Sequence, residues 1–182
     1  MPVMKACSTG FIRGISGRGA VKRTGAAPAF RLRLEENKDA VSTFCFGGGS
    51  VSVFKTKEYS KDNPVMIVKF WDENEAVFSQ TINVENVNPL NANNLEMIAL
   101  SSFLDKEGYS ENSILCFISC ARGCSPVTQT EDRNSAASRK NFIVQVDEWR
   151  KNQYSTGNIA GFRCLSNYYN LLALRSKPLY EE

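Results

Sequence analysis

The segment Asn94-Leu-Glu-Met-Ile-Ala-Leu-Ser-Ser-Phe103 is the point at which the hydrophobic pattern of this chain changes its period. Its apolar residues recur at steps of three and four, the spacing of one helix face: Leu95, Ile98, Ala99 and Phe103. Asn93 or Asn94 is a suitable N-cap, and Gly108 is a suitable C-terminal stop. The segment therefore predicts a helix between these signals.

Upstream of this helix the pattern is that of β-strands. In residues 30–34 three apolar side chains alternate with Arg31 and Arg33, which predicts a half-buried strand with a basic exposed face. Further runs bounded by Gly, Asn, Asp or Pro predict strands at residues 10–15, 41–46, 50–56, 65–71 and 76–84. The glycines at 47–49 separate two of these runs and suit a turn that requires positive φ.

Downstream of the helix the pattern is mixed. Residues 114–120 and 142–146 are short apolar runs that we interpret as strands, and the polar residues 125–141 between them predict a loop. Residues 162–175 carry a helical apolar stripe that either packs on the sheet or serves a partner. The fold class predicted is α+β. It has a β-rich, OB-like barrel or sandwich in residues 1–90 and an α/β extension in residues 91–182, as two domains or one continuous domain.

The length and composition are those of a globular protein. The chain has 182 residues, of which 42% are hydrophobic, but its apolar runs are far shorter than the ~20 residues of a membrane span. The first residues lack the apolar stretch of a secretory signal, so we expect a cytoplasmic, reducing location and six cysteines present as thiols.

The chain contains no histidine, which restricts its possible chemistry. Catalytic Ser-His-Asp and Cys-His arrangements are excluded, and no other catalytic spacing is recognisable. The series Cys116, Cys120, Cys124 has steps of four, unlike zinc knuckles or iron–sulfur motifs. We therefore expect a protein that is not an enzyme, with no catalytic residues, no metal and no cofactor, in which Cys116 and Cys120 behave as small buried hydrophobes on one strand face.

Charge is distributed unevenly along the chain. The first 34 residues carry seven Lys and Arg and no acid, whereas the remaining residues carry 15 basic and 19 acidic side chains. A cationic segment of this kind attracts polyanions such as nucleic acid. The same charges are also typical of solvated strand faces that keep a protein in solution, and both interpretations are open at this point.

One part of the cationic segment has a recognisable pattern. Val21-Lys-Arg-Thr24 is followed by Gly25, Pro28 and Phe30-Arg-Leu32. Residues 11–34 as a whole resemble the first two strands of single-stranded DNA-binding proteins of the OB-fold type. The resemblance implies an OB-like barrel and a single-stranded nucleic acid as ligand. The later strands, the aromatic signature and the acidic tail of that family are not evident here.

The residue types needed to bind a single strand are present independently of the resemblance. Such binding requires cations along the phosphates and aromatic faces on which bases stack. Phe44 and Phe46 share one strand face, Phe54 lies in the next strand, and Trp71 ends another. The expected nucleic-acid-binding residues are Arg13, Arg18, Lys22, Arg23, Arg31, Arg33, Phe44, Phe46 and Trp71.

Two further functions fit the sequence. The first is a self-assembling subunit of a capsid, tube or shell, with the Gly-rich basic N-terminal segment as an arm between subunits of a homo-oligomer. The second is an inhibitor that acts through its surface, a class that leaves no sequence motif.

Overall fold

The computed structural model describes residues 39–46, 49–71, 77–123 and 138–176, all within the unit that spans Glu36–Glu182. The strands predicted at residues 10–15 and 30–34 lie outside the described residues, as does most of the loop predicted at 125–141.

Four strands form one antiparallel sheet in the order of the sequence: β1 (Ser42–Phe46), β2 (Gly49–Lys55), β3 (Val65–Trp71) and β4 (Val77–Asn83). All four were predicted, and β3 has the predicted limits. Phe46 pairs with Gly49, so β1 and β2 are joined through residues 47 and 48. A Cβ atom at Gly49 would lie 2.3 Å from the Trp71 carbonyl oxygen, so the close approach of β3 requires glycine at this position.

Among the described residues, a 3-10 turn (Val84–Asn86) and four α-helices follow the sheet: α1 (Asn94–Lys106), α2 (Ser113–Gly123), α3 (Phe142–Ser155) and α4 (Ile159–Arg175). The structure confirms the predicted helix α1. The Asn93 side chain accepts from the Glu96 backbone N–H at 2.9 Å, and the Glu96 carboxylate accepts from the Asn93 N–H at 2.8 Å. This capping box fixes the start of α1, and Gly108 follows its end with a φ of 78°. The stripe predicted at 162–175 is likewise helical and belongs to α4.

Two predicted strands are wrong. Residues 114–120 belong to α2, and residues 142–146 form the first part of α3. A short apolar run has the same composition in a buried strand and in a buried helix, so composition does not distinguish the two. The length of the whole element is the better guide, and here the helix continues beyond each apolar run. In α3, Phe142 and Val146 are buried one turn apart while Val144 between them is half-exposed. In place of the predicted α/β extension, the described residues after the sheet form helices and one isolated bridge, Ala92 to Lys140.

Helix α1 is the centre of the core. Every residue from Asn94 to Leu104 except Glu96 is buried, and the helix contacts β2, β3 and β4 as well as α2. The Ser101 hydroxyl lies 2.8 Å from the hydroxyl of Tyr168 in α4, within the core. One continuous cluster of buried apolar residues joins the sheet to all four helices. Sequence positions before and after residue 90 therefore share one core.

The fold class is α+β, with an open four-stranded sheet among the described residues. Strands β1 and β4 form the two edges of this sheet. None of the helices in the described ranges is long and apolar enough to cross a bilayer.

Candidate nucleic-acid interface

The sheet has two different faces because side chains alternate along each strand. The inner face carries the buried residues Val51, Val53, Met66 and Val68, and it packs on α1. The pairing register places the alternate residues together on the opposite side, which we call the outer sheet face. Its central residues are Thr43, Cys45, Ser50, Ser52, Phe54, Ile67, Lys69, Trp71, Val77, Ser79 and Thr81.

A cation and an aromatic ring meet on this outer sheet face. The Lys69 ammonium lies 5.1 Å from the centroid of the Phe54 ring, within the range of a cation–π contact. Both side chains are half-buried, so both keep part of their surface open to solvent. The ring is held by β2 and the cation by β3, on neighbouring rows of the pairing register.

The charge of the sheet favours anions. The four described strands contain Lys55 and Lys69 but no Asp or Glu. The outer sheet face also carries hydroxyl groups, of which Ser79 and Thr81 are exposed. The Thr43 hydroxyl lies 3.0 Å from that of Ser52, which is fully buried. Ammonium and hydroxyl groups are the usual donors to phosphate and sugar oxygens.

The predicted aromatic residues differ in their placement. Phe44 is half-buried and packs against the core from the inner face. Trp71 lies on the outer sheet face, but only 9% of its surface is exposed, so its ring offers little area to a base. Phe46 lies at the end of β1, and its side chain is outside the described residues, as are Arg13, Arg18, Lys22, Arg23, Arg31 and Arg33.

The sequence analysis missed Lys69 and did not include Phe54 among the binding residues. The two-residue period of the strands could have identified both residues. Lys69 is the single charged residue of β3, and the two-residue period puts it on the same face as Ile67 and Trp71. Its contact with Phe54 depended on the register between β2 and β3, which the sequence did not specify.

A second cation, Lys55, directly follows Phe54 at the end of β2, and its ammonium makes other contacts. Its ammonium lies 3.8 Å from the centroid of the Tyr59 ring and 3.7 Å from the Glu107 carboxylate. Tyr59 donates a hydrogen bond of 2.6 Å to the same carboxylate. This bond lowers the pKa of Glu107, while burial and the nearby carboxylate raise the pKa of Tyr59. The cluster balances its own charge and is therefore a structural contact.

The helices show the same pairing of charges. Arg139 pairs with Glu96 at 3.1 Å, and Arg175 lies 3.6 Å from Glu85. In α3, Asp147 binds both Lys151 and Arg150, and these bonds lower its pKa. Asp147 thus has a structural role in an ionised form. Its neighbour Glu148 is exposed, and we assign no catalytic role to either carboxylate.

Three of the described cysteines, Cys116, Cys120 and Cys164, lie on helices, whereas Cys45 lies on β1. Cys116 and Cys120 are buried one turn apart on α2, as small hydrophobes on a helix face instead of the predicted strand face. Within the described ranges, no three Cys, Asp or Glu side chains are grouped closely enough to hold a metal ion. Cys164 lines two open cavities next to α4, of about 480 and 210 Å³.

The chain matches no protein-family model, and no curated protein or solved structure matches it significantly.

Proposed function

We propose that this protein is a non-enzymatic binding protein that holds single-stranded nucleic acid against the outer sheet face. The observation that carries the proposal is the placement of the Lys69 ammonium 5.1 Å from the Phe54 ring. Single strands bind where a cation meets a phosphate and a neighbouring ring stacks on a base. The hydroxyls of Ser79 and Thr81 add donors for the backbone of the strand.

The charge pattern of the sequence supports this proposal. The seven cations of the first 34 residues supply attraction to phosphates that does not depend on base sequence. Residues 11–34 also resemble the start of OB-type single-stranded DNA-binding proteins. The OB-like barrel is part of the proposal, and the strands predicted for it at residues 10–15 and 30–34 lie outside the described residues.

A titration with a labelled single-stranded oligonucleotide, followed by fluorescence anisotropy at two salt concentrations, tests the proposal. We expect the affinity to fall as the salt concentration rises. The slope of log affinity against log salt concentration should be near −0.7 for each phosphate contact. Phe54→Leu keeps an apolar side chain but removes the stacking surface, and it should weaken binding by roughly 5- to 150-fold, equivalent to about 1–3 kcal/mol. Lys69→Ala should weaken binding. It should also make the slope of log affinity against log salt concentration less steep by about 0.7, the contribution of one phosphate contact.

Lys57→Ala is the matched control, because Lys57 is exposed in the turn after β2 and lies off the outer sheet face. It removes the same charge and should leave affinity nearly unchanged. Absence of binding at low salt would overturn the proposed function. Binding that is unaffected by both Phe54→Leu and Lys69→Ala would reject the outer sheet face as its location.

A self-assembling subunit is the second candidate, and the exposed apolar side chains of the helices favour it. Leu174 is 85% exposed, Tyr154 63% and Leu115 58%, and burial of such side chains against a second copy of the chain would favour assembly. Light scattering of the purified protein separates the two functions. A ring, tube or shell formed without oligonucleotide supports assembly, whereas a small species that grows only on adding oligonucleotide supports strand binding.

A further inference from the structure

Two cysteine thiols from different helices are in direct contact. The Sγ atoms of Cys116 in α2 and Cys164 in α4 lie 2.8 Å apart, although 48 residues separate them in sequence. Both are thiols in this structure. A disulfide bond has an S–S length near 2.05 Å, so the two sulfur atoms need to approach by only about 0.8 Å to form one.

The two sulfur atoms differ in their access to solvent. Cys116 is 5% exposed, whereas Cys164 is half-buried and lines the cavities on both sides of it. The smaller cavity, of about 210 Å³, includes both cysteines together with Leu115 and Trp149 in its wall. Of the two cysteines in this wall, Cys164 is the more exposed and therefore the more accessible to a small reagent.

We propose that Cys116 and Cys164 form a reversible oxidation site, in which a low-molecular-weight disulfide converts the thiol pair into a disulfide that links α2 to α4. In the first step the Cys164 thiolate attacks one sulfur of the small disulfide. That S–S bond breaks, a mixed disulfide forms on Cys164, and one small thiol leaves after taking up a proton.

In the second step Cys116 loses its proton to solvent and attacks the Sγ atom of Cys164. The bond to the small molecule breaks and the second small thiol leaves. Overall, two protein thiols are oxidised and one small disulfide is reduced to two thiols. The geometry assigns Cys164 as the attacking residue and Cys116 as the resolving residue.

The environment of Cys116 disfavours its deprotonation. Burial raises the pKa of the Cys116 thiol, and the neighbouring Cys164, Cys120 and Asp105 raise it further. The thiolate is the nucleophile in thiol–disulfide exchange, so the second step should accelerate as the pH rises.

The experiment uses the full chain, reduced and then incubated with oxidised glutathione. The remaining thiols are alkylated, and the peptides are mapped by mass spectrometry to distinguish among the six cysteines. We expect a peptide pair joined through Cys116 and Cys164 that a dithiol reductant separates. The oxidised protein should melt higher than the reduced protein by roughly 5–10 °C, because the bond closes a long loop.

Single variants test the order of the steps. Cys116→Ser should accumulate the glutathione adduct on Cys164, because nothing resolves it, whereas Cys164→Ser should leave Cys116 unmodified. Cys45→Ser is the matched control, since Cys45 lies on the sheet, and it should form the α2–α4 cross-link as the wild type does. A folded wild type whose Cys116 and Cys164 are both alkylated after oxidation would overturn the proposal, whatever the variants do. Equal adduct on Cys164 in wild type and Cys116→Ser would reject the resolving role.

Discussion

The phenolic hydroxyl of Tyr59 donates a hydrogen bond of 2.6 Å to the carboxylate of Glu107, and this bond joins the turn after β2 to the end of α1. Because the bond is made to the ionised carboxylate, it lowers the pKa of Glu107 from its ordinary value of 4.5. A group with a lowered pKa stabilises the folded state above its ordinary pKa, and this stabilisation is lost as the pH falls through the folded-state value.

Tyr59→Phe should therefore destabilise the protein most at neutral pH. We expect a loss of about 1–2 kcal/mol at pH 7, toward the low end of the roughly 1.5–3 kcal/mol of a hydrogen bond to a charged group, because this bond is only partly buried. The difference from wild type should shrink as the pH falls below 4.5 and through the lowered folded-state pKa of Glu107, because the carboxylate is lost in both proteins. Urea unfolding at several pH values measures it. Tyr154→Phe is the control, because Tyr154 is 63% exposed. A loss of stability in Tyr59→Phe that does not depend on pH would show that the Tyr59 hydroxyl does not act through the ionised Glu107 carboxylate.

The buried hydroxyl pair of Ser101 and Tyr168 should behave as one unit. Ser101→Ala leaves the Tyr168 hydroxyl, 1% exposed, without its 2.8 Å partner, and should destabilise the protein by about 1–3 kcal/mol. Adding Tyr168→Phe removes the stranded hydroxyl, so the double variant should be more stable than the sum of the single losses predicts. Chemical denaturation of the wild type, Ser101→Ala, Tyr168→Phe and the double variant gives a double-mutant cycle. Strictly additive losses of stability would show that the pair is not coupled. The control is Ser119→Ala at an exposed position of α2, which should change the free energy of unfolding little.

The capping box at the start of α1 should contribute measurably to stability. Asn93→Ala removes the acceptor of the Glu96 N–H, and we expect a loss of about 0.5–2 kcal/mol in the free energy of unfolding. Asn93→Asp keeps an acceptor oxygen at the same position and should retain most of the stability. Thermal unfolding compares the two variants, and equal losses would indicate that the cap does not act through this hydrogen bond.

Gly49 should not tolerate a methyl group. The Cβ atom of Gly49→Ala would clash with the Trp71 carbonyl oxygen and with the Phe70 ring, so we expect a loss of about 1–3 kcal/mol from forced displacement of β3. Gly108→Ala is a control for backbone strain alone, because its φ is 78° and its Cβ would meet nothing within 4 Å. Thermal unfolding measures both variants. If Gly49→Ala were fully stable, the close approach of β2 and β3 would be incorrect.

The sequence predicted those elements whose signals are local. The four described strands and α1 have the expected positions because alternation, turn residues and caps all lie within about ten residues of each other. The apolar runs that belong to α2 and α3 carry no such local signal, and they were predicted as strands. The run at 114–120 is apolar at nearly every position, so neither a two-residue nor a 3.6-residue period distinguishes its faces.

The contacts that define the candidate sites belong to the tertiary structure. Phe54 meets Lys69 because β2 and β3 pair in one particular register, and a shift of one residue would place the two side chains on opposite faces. Cys116 meets Cys164 because α2 and α4 pack together across a separation of 48 residues. By itself, the sequence determined the charge asymmetry, the lack of histidine and most of the local elements. Which cation meets which ring, and which thiol meets which, was decided only by packing, because these distances depend on how distant segments share one core.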